Sequence, residues 1–219
     1  MTLSKGAFNR ASGSSSSSLS LQISVIDISD KLKYYLQPYS IKCFADAYLN
    51  PTTTTTITVS NQQCTSIKTL DLSAYENLNT LTIGSNSFTS VQTLLLNSQL
   101  RSISVGDSSF TALTGFNFNG LARLNSLSVG KHSFKRLSLS LQGLSYLQVL
   151  SIGDDSFSSG GSFSVSNLPS LNRITIGSNC FKSSDLELKD LAALQFVNIG
   201  ANSFLNCKVA TFESSFNWV

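Results

Sequence analysis

The strongest constraint on this chain is an eleven-residue phrase, L-x-x-L-x-I-G-x-x-S-F, which reads clearly at Leu147–Phe157 and returns six times between Leu78 and Phe204. Its glycines are Gly84, Gly106, Gly130, Gly153, Gly177 and Gly200, at steps of 22, 24, 23, 24 and 23 residues. A fixed period of this length marks a solenoid, in which each copy is one coil and no coil buries its apolar face without a neighbour. A degenerate coil comes before the regular ones. Ile57–Cys64 aligns with Leu81–Phe88 at a spacing of 24, with Ser60 in the glycine slot and Cys64 in the phenylalanine slot.

The other half of each coil carries L-x-L-x-x-L-x-x-L. It runs Leu70-Asp-Leu72 then Leu78; Phe116-Asn-Phe118, Leu121, Leu124; Leu139-Ser-Leu141, Leu144, Leu147; Phe163-Ser-Val165, Leu168, Leu171; and Leu186-Glu-Leu188, Leu191, Leu194. Both halves hold an apolar pair at period two, so both can supply a short strand. The expected fold is mainly β: a solenoid of 22–24-residue coils with parallel strands and few or no helices.

Residues 56–219 are expected to form the array. Val209–Phe216 begins a further coil, and either the array continues in a longer parent or Phe216 and Trp218 cover its end. Residues 1–55 read as degenerate coils or a cap. Leu3–Phe8 looks like the tail of a repeat, and Ser14–Ser18 is a flexible insertion. Leu19–Val25 alternates as a strand does, and Asp30–Leu36 has room for one helical turn before Pro38.

The phrase resembles the leucine-rich repeat signature, L-x-x-L-x-L-x-x-N-x-L, with Phe in its last slot. The asparagine slot holds Asn86, Ser108, His132, Asp155, Asn179 and Asn202. The resemblance covers about residues 56–205 and implies a right-handed coil whose exposed strand face binds protein or glycan. The second half lacks a helix-length segment, which is closer to the short repeats of bacterial and protist surface proteins. The glycine after Ile departs from the family pattern.

Stacking turns repeat positions into columns about 4.8 Å apart. The phenylalanine column is expected to be an aromatic spine in the core. The asparagine column, His132 included, is expected to hydrogen-bond the backbone of the turn. Asp107, Lys131 and Asp154 share a column and alternate in sign, as in a surface salt-bridge ladder. Asp154 and Asp155 point different ways, and no second carboxylate, His or Cys converges on the Asp107–Lys131–Asp154 column from another column. With no nucleophile–base pair, metal spacing or phosphate loop, neither catalysis nor a cofactor or metal is expected.

Composition narrows the partner. Only 12% of residues are charged and the net charge is +3 with no basic block, so nucleic acid is not the expected ligand. No apolar run is long enough to insert in a membrane. No export signal is visible at Met1, which favours a cytoplasmic setting over the cell surface. The cysteines (Cys43, Cys64, Cys180, Cys207) form no C-x-x-C pair and read as buried thiols, with a Cys180–Cys207 bridge left open because the two fall on successive coils.

A binding site on a solenoid has to lie on the outward strand positions. One such column reads Thr82, Ser104, Ser128, Ser151, Thr175, Asn198, and its neighbour reads Thr80, Ser102, Ser126, Val149, Arg173, Phe196. Three coils present hydroxyls and the next three present an aliphatic, a guanidinium and a ring. The candidate partner-binding patch is therefore Gln148, Val149, Ser151, Arg173, Thr175, Phe196 and Asn198, and a protein is the leading partner. The hydroxyl face and the surface-protein affinity point to glycan as the alternative. An ice-binding array fails because Val149, Arg173 and Phe196 break the regularity, and a polysaccharide-cleaving β-helix lacks its clustered acids.

Overall fold

The computed structural model describes residues 49–214, all within one compact unit, Pro38–Val219. The expectations for Leu3–Phe8, Ser14–Ser18, Leu19–Val25 and Asp30–Leu36, and for Cys43, Phe216 and Trp218, fall on residues outside that range.

The described chain is a parallel β-solenoid. Its strands are β1 (Thr56–Val59), β2 (Thr69–Asp71), β3 (Thr80–Ile83), β4 (Thr93–Leu95), β5 (Ser102–Val105), β6 (Ser126–Val129), β7 (Leu139–Gln142), β8 (Val149–Ile152), β9 (Phe163–Ser166), β10 (Arg173–Ile176), β11 (Leu186–Lys189), β12 (Phe196–Ile199) and β13 (Ala210–Glu213). One face is an unbroken seven-stranded sheet in the order β1-β3-β5-β6-β8-β10-β12. Equivalent residues of successive coils lie side by side in it, as in Leu81 against Ile103 and Leu127 against Leu150. The degenerate coil keeps the same register, with Ile57 against Leu81 and Val59 against Ile83. Along these strands the second and fourth residues point inward and are buried, and the first and third face out.

The second face is interrupted. It consists of β2-β4 and, further along, β7-β9-β11-β13. Between them, Phe116-Asn-Phe118 does not form the strand that its alternation predicts. Asn117 adopts an extended conformation and its side chain accepts the Asn119 amide, starting a single 3-10 turn over Phe118–Gly120. An Asn side chain that satisfies the backbone two residues on competes directly with a ladder bond. Phe118 still reaches the core, edge-on to Phe134 at 6.3 Å. No α-helix occurs among the described residues.

The corner after each first-face strand is tightly packed on the coil before it. Its glycine has no room for a side chain. A Cβ on Gly153 would sit 2.7 Å from the Lys131 nitrogen, and one on Gly106 would sit 2.5 Å from the Ser85 nitrogen. Each of these glycines donates its N–H to the preceding coil, from Gly84 to the Val59 carbonyl through Gly200 to the Ile176 carbonyl. Two left-handed residues follow, one in the asparagine column (Asn86, φ 56°) and one in the phenylalanine column (Phe88, φ 55°), and every regular coil repeats them. Left-handed backbone costs a bulky L-residue about 1–2 kcal/mol. Burying the ring returns about 1.5–3 kcal/mol. Stacking adds about 0.5–1.5 kcal/mol. The rings do stack, with centroids 5.1–5.6 Å apart from Phe88 to Phe204.

Between those two residues lies a serine, and it is fully buried at Ser87, Ser109, Ser133 and Ser156. The Ser109 hydroxyl accepts the Ser87 amide at 3.2 Å and donates to the Gly84 carbonyl at 3.0 Å. Ser133 repeats both bonds on Ser109 and Gly106. Ser156 repeats them on Ser133 and Gly130. Cys180 occupies the same slot, with its thiol donating to the Gly153 carbonyl at 3.3 Å, and Ser203 resumes the ladder on Cys180 and Gly177. The backbone of the turn is thus held by serine hydroxyls rather than by the asparagine-column side chains expected to do it.

Ser133→Ala leaves a buried amide at Ser109 and a buried carbonyl at Gly106 without their hydroxyl partner. At about 1–3 kcal/mol per orphaned group, the urea midpoint should fall with an unchanged slope. Cys180→Ser, which restores the shorter hydroxyl bonds, should leave the midpoint level or raise it. Equal behaviour of the two variants would refute a ladder that bears stability.

Candidate functional site

The residues singled out as a binding patch do come together. Val149, Arg173 and Phe196 are in-register neighbours on β8, β10 and β12, and Ser151, Thr175 and Asn198 are neighbours two residues on. Gln148 immediately precedes β8 and is exposed. Its carbonyl accepts both the Asn172 and the Arg173 amides, so the strand entry is fixed by the coil beneath. All seven side chains lie on the outward pleat of the seven-stranded face or at its edge, because their inward neighbours Leu150, Ile152, Ile174 and Ile176 fill the core.

Within the patch, Arg173 and Phe196 form a pair. The guanidinium carbon lies 4.2 Å from the Phe196 ring centroid, within cation–π range. The stack holds a long cation flat on the sheet and leaves Phe196 42% exposed. Upstream, the same two columns carry only hydroxyls: Thr56 and Thr58, Thr80 and Thr82, Ser102 and Ser104, Ser126 and Ser128. The face therefore divides into a hydroxyl half on β1, β3, β5 and β6 and a mixed half on β8, β10 and β12.

The polar rim at the corner differs from a simple ion-pair ladder. Lys131 pairs with Asp154 at 2.9 Å. Asp107 instead uses its carboxylate to accept the Lys131 backbone amide at 2.7 Å, and Asp154 does the same for the Ser178 amide at 2.8 Å. That amide bond and the Lys131 ammonium hold the Asp154 carboxyl below the ordinary carboxylate range. Asp155 points toward His132, 3.8 Å away. The two adjacent acids take separate directions in a turn where Asp155 is left-handed, rather than by strand alternation.

The thiols resolve the open question of the bridge. Cys180 and Cys207 are both free, with no bridge between them. Cys180 belongs to the serine ladder and meets Ser203 on the next coil, whereas Cys207 is partly exposed with its thiol on the Val209 carbonyl. Burial raises the Cys180 thiol above its ordinary value, which suits a neutral hydrogen-bond donor and not a nucleophile. Among the described residues no group of three or more His, Cys, Asp or Glu is arranged to hold a metal ion. No helix among them is long and apolar enough to cross a membrane.

Two concave features escaped the sequence reading. One is an apolar cleft of about 330 Å³ at the C-terminal end of the solenoid, where Phe196 forms a wall together with Leu194, Val197, Ile199 and Phe212. It lies between β12 and β13, each at the end of its sheet among the described residues. The other is an open groove of about 520 Å³ where the second face is broken, lined in part by Leu94, Leu95, Phe116 and Asn117. The Asn117 turn flanked by Gly115 and Gly120 was its available signal. No protein-family profile, curated protein or solved structure matches this chain.

The Asp154 contacts carry a pH signature. A carboxyl lowered in the folded state adds stability that is fully present above its unfolded pKa and is lost as pH falls through the folded one. Asp154→Asn keeps an oxygen for the Ser178 amide and loses the charge. Urea midpoints of the variant and the parent should therefore differ most near neutrality, and the difference should shrink below about pH 4. A constant gap across the acid range would show that the charge of Asp154 is not involved.

Proposed function

We propose that this chain is a non-catalytic interaction module of leucine-rich-repeat type that binds a protein partner through the mixed half of its seven-stranded face. The observation that carries this reading is the Arg173–Phe196 stack, set beside Val149 in one outward column. Arg and aromatic residues are the usual anchors of protein interfaces, and rigid mounting reduces the entropy lost on binding. The leucine-rich-repeat assignment is supported by the spacing of Leu147, Leu150 and Ile152 ahead of a left-handed polar residue at Asp155, a turn repeated in every regular coil.

A second reading is glycan binding, as in a surface adhesin, and a separate observation favours it. The hydroxyl half places two parallel columns of Thr and Ser in register over four strands. Sugars are bound by many such hydroxyl contacts, whereas a protein partner needs the anchors of the other half.

The two readings separate by mutation. Cross-linking of the tagged chain followed by mass spectrometry would identify the partner, and Arg173→Ala and Phe196→Ser should each weaken its binding by about tenfold or more, the range of an interface anchor. Thr82→Val with Ser104→Val should leave protein binding unchanged and abolish any signal on a glycan array. Unchanged partner affinity in both anchor variants would sink the patch.

A further inference from the structure

The break in the second face leaves one side of β4 without a strand beside it. β4 bonds β2 through Thr93 and Leu95: the Thr93 amide donates to the Lys68 carbonyl, and the Leu95 carbonyl accepts the Leu72 amide. In a trans peptide the C=O points away from the N–H of the same unit. The Gln92 carbonyl, the Leu94 N–H and C=O, and the Leu96 amide therefore point away from β2. Further along this face, such groups meet the next coil, as Leu139 donates to Ser162 and Gly143 to Ser166. At β4 the next coil holds the Asn117 turn, which packs on β7 and is tied to it by the Asn119–Gln142 bond. None of the four groups on β4 has a hydrogen-bond partner among the described residues.

Gln92, Leu94 and Leu96 all line the groove of about 520 Å³, whose other wall is built from Gly115 to Leu121. A three-residue stretch of strand is about 10 Å long, 4.8 Å from its neighbour and about 10 Å across its side chains, on the order of 500 Å³. The groove has the size of the strand that is missing. Its apolar lining includes Leu96 and Phe116, core positions of the repeat that are only partly buried here. None of its lining residues is charged. Natural strand edges are usually blunted by charge, proline or a bulge, and Gln92–Leu96 has no charge and no proline.

We propose that this groove binds an uncharged, extended peptide segment of a partner protein, which adds to β4 as a strand in the β-augmentation mode. The four backbone groups bond the peptide main chain, and one apolar side chain of the peptide covers Leu96 and Phe116. A second folded copy does not fit, because its own β4 edge lies equally enclosed between coils. The site is separate from the Arg173–Phe196 patch, which lies on the other face.

The array itself supplies a probe: a fluorescein-labelled peptide with the sequence of residues 138–143, which form the next regular strand of this face. Its anisotropy should rise saturably with the full-length protein, and amide exchange at Leu94 and Leu96 should slow several-fold while Leu95, already bonded to β2, does not change. Methylating the amide nitrogen of the peptide's second serine, which donates to Leu94 in the register of the array, should weaken binding tenfold or more. Leu95→Lys, at an exposed position, should do the same. So should Asn117→Val, which releases the Asn119 amide and lets Phe116–Phe118 extend along β4 in the peptide's place. Phe196→Ser should leave peptide binding unchanged and so separates this site from the patch. Absence of saturable binding overturns the proposal, as does binding that survives methylation and both groove substitutions. Leu94 and Leu96 amides already protected without peptide overturn it too, because another part of the chain then covers the edge. A dimer in sedimentation that Leu95→Lys separates would make a second copy the occupant and has the same consequence.

Discussion

The fold depends on how closely one coil's corner can approach the next. At that corner the glycine removes a side chain that would collide with the backbone below, and its N–H is then free to bond the preceding coil. The close approach also brings the next coil's serine within reach of the same backbone. Its hydroxyl binds one amide and one carbonyl of the coil before it, and the ladder runs from Ser87 to Ser203 with only the Cys180 thiol as a variation. A buried hydroxyl without partners would cost more than the bond returns, so the serine and the glycine are tolerable only together. The strained phenylalanine belongs to the same set, since its left-handed backbone lies between the buried serine and the next half-coil and sets its ring in the spine.

The two faces respond differently to this constraint. The first face runs directly into the corner, so its register is set anew in each coil and stays continuous over seven strands. The second face lies half a coil away, where steps of 22 to 24 residues are absorbed. Slack there allows a local competitor to win. In one coil the Asn117 side chain captures the Asn119 amide, and a turn replaces a strand. The neighbouring coils survive because Asn119 in turn offers its side-chain oxygen to the Gln142 amide of β7, a substitute for the missing ladder bond.

The period, the parallel pairing and the register of the first face were all legible from the spacing of Leu81, Ile83, Gly84 and Phe88 and their copies. The aromatic spine was legible too. The features that escaped were polar and geometric. Ser87 and its copies stand in five of the six repeat phrases, yet a serine in a serine-rich chain carries no sign of burial, and the asparagine beside it is the more conspicuous hydrogen-bonding residue. The end cleft escaped because Val197 and Ile199 look like any other core pair; their exposure comes from their place on β12, the edge strand of the described sheet, not from their identity. The patch was found by the opposite signal, a departure from the local rule at Val149, Arg173 and Phe196.

This difference has a physical origin. Inward positions are constrained by two neighbours at once, so a change at Leu150 has to suit both Leu127 and Ile174. Outward positions touch their column mates only at the edges and meet solvent otherwise, and substitution there costs little. A solenoid can therefore keep its fold while its face diverges coil by coil. In this chain four coils keep paired hydroxyls, and the next three lose them, one column at Val149, Arg173 and Phe196 and the other at Asn198. The apolar and cationic replacements lie side by side in one column, ending in a guanidinium stacked on a ring, and this is the reason the proposed interface runs across β8, β10 and β12 rather than along any one of them.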